Sequence, residues 1–181
     1  MSLKSKEFLK TVLPLVGFVI LLLLLRQYVF SPVVVKGHSM DPTLADGERV
    51  IALKNTEVHR FDIVTFPAPD EPNKNYIKRV IGLPGETVEY KNDTLYIDGK
   101  AYKEPYLDEF KNALTDGQPL TADVPPIKVP ADHYFVMGDN RRNSKDSRFI
   151  GSIKKETIFG DVKFVLWPLN RFGTLPKVTQ K

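Results

Sequence analysis

From Thr11 to Leu25 fifteen consecutive residues carry no charge and are mostly Val, Leu, Ile and Phe. The apolar stretch reaches Phe8 and Phe30 once Lys10 and Arg26 turn their charged ends toward water. As a helix, those twenty-three residues extend roughly 34 Å at about 1.5 Å per residue, against a hydrocarbon layer of about 30 Å. A cleavable secretory signal has a similar core, but no small-x-small site follows Leu25. Arg26, Gln27, Tyr28, Val29 and Phe30 read instead as an interfacial belt. Residues 1–30 are therefore expected to form a cytoplasmic tail and a single transmembrane helix. With Lys4, Lys6 and Lys10 held inside, the rest of the chain lies on the extracytoplasmic face of the cell membrane.

The net charge of +4 belongs mostly to this leader, where Lys4, Lys6, Lys10 and Arg26 stand against Glu7. The body is nearly neutral, which argues against a nucleic-acid partner and for a lipid bilayer. With no cysteine among 181 residues, thiol nucleophiles, thiolate metal sites and disulfide scaffolds are excluded. Any covalent chemistry falls to oxygen or nitrogen, and no metal or cofactor is expected.

The outer part reads as β structure. Arg49 to Leu53, Asp62 to Phe66, Tyr76 to Ile81, His133 to Met137 and Val162 to Trp167 are rich in β-branched and aromatic residues between Gly, Pro and Asp. Thr87 to Tyr90, Thr94 to Ile97 and Lys100 to Tyr102 make a small meander with an Asp-Gly turn. Lys103 to Pro130, with its five prolines, has loop chemistry rather than ladder chemistry. The expected fold is all-β: a catalytic antiparallel core over 31–84 and 132–181, a smaller β subdomain inserted at 85–131, and the N-terminal helix before both.

Three segments hold reactive side chains. In Gly37-His38-Ser39-Met40-Asp41-Pro42-Thr43-Leu44 the serine is either a turn hydroxyl or a nucleophile, and a nucleophile needs a base. His38 is adjacent and points to the opposite face of an extended segment; His59 and His133 sit in surface-type turns. Lys78, in Tyr76-Ile77-Lys78-Arg79-Val80-Ile81, is either a solvated strand residue or an amine whose burial lowers its pKa. Arg79 as a like charge would lower it further, and Asp146 would oppose. Gly138-Asp139-Asn140-Arg141-Arg142-Asn143-Ser144-Lys145-Asp146-Ser147-Arg148 is either a charged loop or a scaffold for the other two.

In this order, behind an apolar anchor, the segments resemble the bacterial type I signal peptidases, in their small single-anchor Gram-positive form. These are membrane-bound Ser-Lys proteases, and the resemblance covers essentially the whole chain. It implies Ser39 as nucleophile, Lys78 as general base, Ser144 as the hydroxyl positioning the Lys78 amine, and Asp146, Arg148 and Arg79 as support. The Ser39 backbone N–H would stabilise the oxyanion. Some relatives add a serine at the position of Gly37, so a backbone group of the Gly37 region or a water is left as second donor. Val33, Val35, Met40, Leu44, Tyr76 and Ile77 would line pockets for small residues before the cut. The partners implied are exported preproteins with signal peptides, the bilayer and the export machinery. Two departures stand out: Phe61 occupies a turn that usually holds glycine, and Arg142 stands where some relatives have an acid. The rivals are a self-cleaving repressor with a Ser-Lys site, a non-catalytic membrane-anchored binding module and a histidine-dependent hydrolase.

Overall fold

The computed structural model describes residues 3–178. Residues 1–2 and 179–181 of the expected segments, and the side chains of Lys4 and Lys6, lie outside what is described.

Helix α1 (Leu3–Tyr28) carries Pro14 inside it and Arg26 in its last turn, where a cation complements the carbonyl end of the helix. The stretch Lys10–Tyr28 has a mean hydropathy of 1.9 and none of it is buried. An apolar surface exposed on all sides has no core to pack on, and by length and composition it is able to cross a bilayer. Lys54 Nζ donates to the Arg26 and Gln27 carbonyls at 3.2 and 2.9 Å. These contacts satisfy helix-end acceptors that lack an intrahelical partner and pin α1 to the β structure that follows.

That structure comprises two antiparallel sheets. The larger orders its strands as β1 (Phe30–Val34), β2 (Arg49–Leu53), β11 (Gly160–Trp167), β3 (Ile63–Pro67), β4 (Asn75–Gly82), β9 (His133–Met137) and β10 (Ile153–Lys154), with β12 (Gly173–Thr174) paired to β11. The smaller runs β7 (Lys100–Tyr102), β6 (Thr94–Ile97), β5 (Thr87–Lys91) and β8 (Val124–Lys128). All eight strands expected from β-branched and aromatic runs are present.

The stretch from Lys103 to Pro130 departs from its expectation. It contains the short helix α2 (Asp108–Ala113) and strand β8, despite Pro125 and Pro126. The physical reason lies in its place: β8 is an edge strand, and its register against β5 shifts between the Val88 and Tyr90 pairs. An edge and a bulge are where missing N–H donors are tolerated. Edge position also explains β1, which carries Pro32 and begins inside the expected interfacial belt.

The two sheets share one core. Ile81, Phe135 and Met137 from the large sheet and Phe61 from a turn pack with Val88, Tyr90, Leu95 and Ile97 of the small one. Where β4 runs toward β5, a Cβ on Gly82 would sit 2.4 Å from the Val88 side chain, so only glycine lets the sheets approach this closely. A second cluster, with Val35, Met40, Leu44, Val50, Ile63 and Val162, underlies the segment bearing Ser39.

Candidate active site

Strand β4 pairs with β3 from Asn75 to Arg79, but with β9 only from Arg79 onward. The backbone edge of Asn75–Lys78 is thus left open. Across from it lies the edge strand β1 and its continuation to Met40. Between them runs a cleft of about 810 Å³, lined by Val33, Val35, Met40, Tyr76 and Ile77 among others, with Ser39 and Lys78 in its wall. Leu44 is not in that lining. It is fully buried in the cluster beneath the cleft, because the turn after Ser39 aims it inward.

Ser39 sits in the turn between β1 and β2. Gly37 has φ +82°, which favours glycine, and its N–H donates to Asp46 at 2.7 Å. The peptide at Ser39 is tethered from the far side: Asn140 N–H donates to the Ser39 carbonyl at 3.1 Å, and Asn140 Nδ2 to the His38 carbonyl at 3.0 Å. Lys78 Nζ donates to Ser39 Oγ at 2.8 Å. With the amine neutral, the same short line serves a hydroxyl donating to nitrogen.

Lys78 is 3% exposed, and among the described residues no carboxylate forms an ion pair with it. Burial pushes its pKa down to about 8, with Asp146 and Asp139 opposing from a distance. The Tyr76 ring lies 4.9 Å from Nζ, and its hydroxyl donates to Glu71 at 2.7 Å. Asp146 opposes the shift as expected. Arg79 does not lower it, because neighbouring strand residues face opposite sides of a sheet and Arg79 has its own counterion. Its Nε and Nη2 donate to the two carboxylate oxygens of Asp139 at 2.8 and 2.6 Å, and Nη1 to the Phe61 carbonyl at 2.8 Å.

The third segment packs against both. Asp146 is fully buried; it accepts from Arg148 Nε and Nη2, both at 2.8 Å, and from the Gly138 N–H at 3.0 Å. It also caps helix α3 (Ser147–Ile150) through the Arg148 N–H. A Cβ on Gly138 would lie 2.2 Å from Ser144 Oγ and 2.4 Å from the Ser39 carbonyl oxygen. Ser144 Oγ thus lies beside the Ser39 carbonyl, but it is buried without a hydrogen-bond partner, so the expected contact with the Lys78 amine is not made. An unsatisfied buried hydroxyl costs about 1–3 kcal/mol.

Sequence reasoning missed Asp139, Thr43 and Asn140 as site residues. Thr43 Oγ1 donates to Asp139 at 2.5 Å, closing a link from the Ser39 turn to Arg79. No local signal marked them, because the need for a carboxylate follows only once Arg79 is seen to be buried. Phe61 fits its turn: φ is +70°, and the ring packs on Tyr106 at 5.6 Å. Arg142 points outward and pairs with Asp116. The histidines find other partners, namely Asp41 for His38, Asp62 for His59 and the Ala131 carbonyl for His133.

Known proteins match this chain over most of its length. Residues 5–167 match the family described as signal peptidase, peptidase S26. The chain is 48% identical to signal peptidase I of Bacillus licheniformis over 173 residues, 92% of each chain. It is 49% identical to signal peptidase I S of Bacillus subtilis over 174 residues, covering 92% of this chain and 93% of that one. A crystal structure of a signal peptidase I from Enterococcus faecalis is similar at TM-score 0.56 and 41% identity, covering 59% of this chain and 97% of that chain. Fold and relatives together define a serine peptidase, a hydrolase. More narrowly, the chain belongs to the signal peptidase family, peptidase S26, and its activity is the cleavage of signal peptides. The apolar N-terminal helix fits a membrane protein.

Proposed function

We propose that the chain is a membrane-anchored endopeptidase in which Ser39 and Lys78 form the catalytic dyad. The observation that carries this reading is the 2.8 Å contact between Ser39 Oγ and a buried lysine whose pKa is near 8. At that value about a tenth of the amine is neutral at pH 7.

The exported preprotein binds extended, adding backbone hydrogen bonds to the open edges of β1 and Asn75–Lys78. Small side chains before the cut enter pockets formed by Val33, Val35, Met40, Tyr76 and Ile77. Neutral Lys78 takes the Ser39 proton as Oγ attacks the scissile carbonyl. The Ser39 N–H stabilises the oxyanion; because the Gly37 N–H is held by Asp46, the second donor is another group beside Gly37 or a water. Lys78 then returns the proton to the leaving amine, which frees the mature protein and leaves the signal peptide esterified to Ser39. A water, deprotonated by Lys78, hydrolyses the ester and restores the serine.

The unpartnered Ser144 hydroxyl is free to receive the amine once Ser39 Oγ turns to the scissile carbonyl, while Asp146, Arg148 and Arg79 hold the walls. Residues 31–84 and 132–181 act as the catalytic core and 85–131 as the insertion. Helix α1 crosses the membrane once with Lys10 inside, placing the cleft on the extracytoplasmic face near the lipid and the export machinery. Incubating detergent-solubilised protein with a preprotein tests the reading: wild type yields the mature mass, and Ser39→Ala does not. Full turnover by Ser39→Ala at the same bond would refute it.

A further inference from the structure

The buried pair between Glu104 and Arg141 lies outside the dyad. Glu104 follows β7 in the small-sheet segment. Its Oε1 accepts from Arg141 Nη2 at 2.5 Å, Tyr106 at 2.6 Å and Tyr90 at 2.9 Å. Arg141 belongs to the loop between β9 and α3 and is among the most deeply buried side chains. Its Nη1 donates to Tyr90 and Thr121 at 2.9 and 3.1 Å. Its Nη2 also donates to Tyr106 at 3.2 Å, so four of its partners come from β5 and the stretch that follows it.

Its remaining contacts lead the other way. Arg141 Nε donates to the Gly138 carbonyl at 3.0 Å, and its own carbonyl accepts from Arg148 Nη2 at 2.8 Å. Arg148 holds Asp146, and Asp146 holds the Gly138 N–H. Gly138 is where Ser144 Oγ and the Ser39 carbonyl converge. Tyr106 makes a second link: its ring lies 3.9 Å under the guanidinium of Arg79, the residue after Lys78.

We infer that Glu104 and Tyr106 of the inserted segment are positioning residues for peptide cleavage, holding Arg141 and Arg79 and through them the Gly138–Arg148 loop against Ser39. The inference rests on the Ser39–Lys78 reading. A pair that only filled the space between the sheets would need no path to Gly138. Here the path is continuous, and each buried hydrogen-bonding group along it depends on the next.

The test uses full-length protein in detergent with a preprotein substrate. Glu104→Gln keeps an acceptor but removes the charge. Misplacing reacting groups by about 1 Å costs up to about 10²-fold, so kcat is expected to fall by roughly 10- to 100-fold. KM should stay within about twofold, because no cleft residue changes. As water reaches the loosened site, the acidic limb of kcat/KM moves upward from about 8, since burial is the largest influence on Lys78. Amide exchange at Gly138 and Asn140 accelerates relative to β2 and β11. Tyr106→Phe shifts each readout in the same direction by less, and carries the test if Glu104→Gln does not fold.

Activity lost only in proportion to unfolded protein, with limb and exchange unchanged, would overturn the inference. An active Lys78→Arg would strike the dyad reading instead. Exchange at Gly138 and Asn140 would still judge the Glu104 link.

Discussion

The two faces of β4 bury adjacent cations to the same depth, and they treat them in opposite ways. Lys78 and Arg79 are each 3% exposed. On one face the ammonium has a hydroxyl and an aromatic ring but, among the described residues, no carboxylate paired with it, so burial drives its pKa down to about 8. On the other, Asp139 grips the guanidinium with both oxygens, and Arg79 stays charged. Burial alone readies an amine to give up its proton; burial with a matched counterion makes a structural joint. Arg141 with Glu104 repeats the second arrangement.

The contrast breaks most severely at the proposed dyad. Lys78→Arg should be as inactive as Ser39→Ala in a preprotein cleavage assay, because guanidinium does not deprotonate. Activity retained by the arginine variant would make Lys78 a mere charge partner. Next in size, Ser144→Ala should lower kcat by about 10² to 10⁴, the range for a mispositioned base. A rate equal to wild type would return Ser144 to an ordinary buried serine. On the opposite face, Asp139→Asn leaves Arg79 buried without its counterion. It should cost about 3–5 kcal/mol, roughly 10 °C in Tm, measured by thermal unfolding in detergent.

The smallest effect has the opposite sign. The unfolded chain titrates Lys78 near 10.5 and the folded one near 8, so the unfolded state holds more protons between those values. Stability therefore rises with pH across that window, and below 8 the full penalty of about 3 kcal/mol remains. Lys78→Met removes the charge, at the loss of the Ser39 contact. It should be inactive yet about 1–3 kcal/mol more stable at pH 7, with the gain fading as pH passes from 8 to 10.5. Denaturant unfolding at pH 7 and pH 10 measures it; destabilisation at pH 7 would mean that Lys78 is not buried as a strained charge.

Much of this was legible before any coordinates. The strands with alternating or continuous β-branched residues announced themselves, whereas Ser39 and Lys78 stood out only through the resemblance of three polar segments behind an apolar run to the signal peptidases. Strands β1 and β8 were not legible, because Pro32, Pro125 and Pro126 forbid a central strand and only the topology tells that these are edges. Arg79 was misread for a related reason. Adjacency in sequence suggested repulsion with Lys78, whereas the pleat sends the two side chains apart. Leu44 looked like a pocket residue until the turn after Ser39 aimed it into the core. The links from Glu104 to Arg141 and from Asp139 to Arg79 are long-range pairings that no local pattern encodes.

The claim that an unpaired, buried lysine is the base is tested most directly by the pH dependence of kcat/KM for wild-type protein. The base works when neutral, so the constant should rise with pH through a single ionisation near 8 and level off on the alkaline side. It should be indifferent to replacement of His38, His59 or His133. A rise already complete by about pH 7, in the range of an ordinary histidine, and abolished by one of those replacements, would contradict the account.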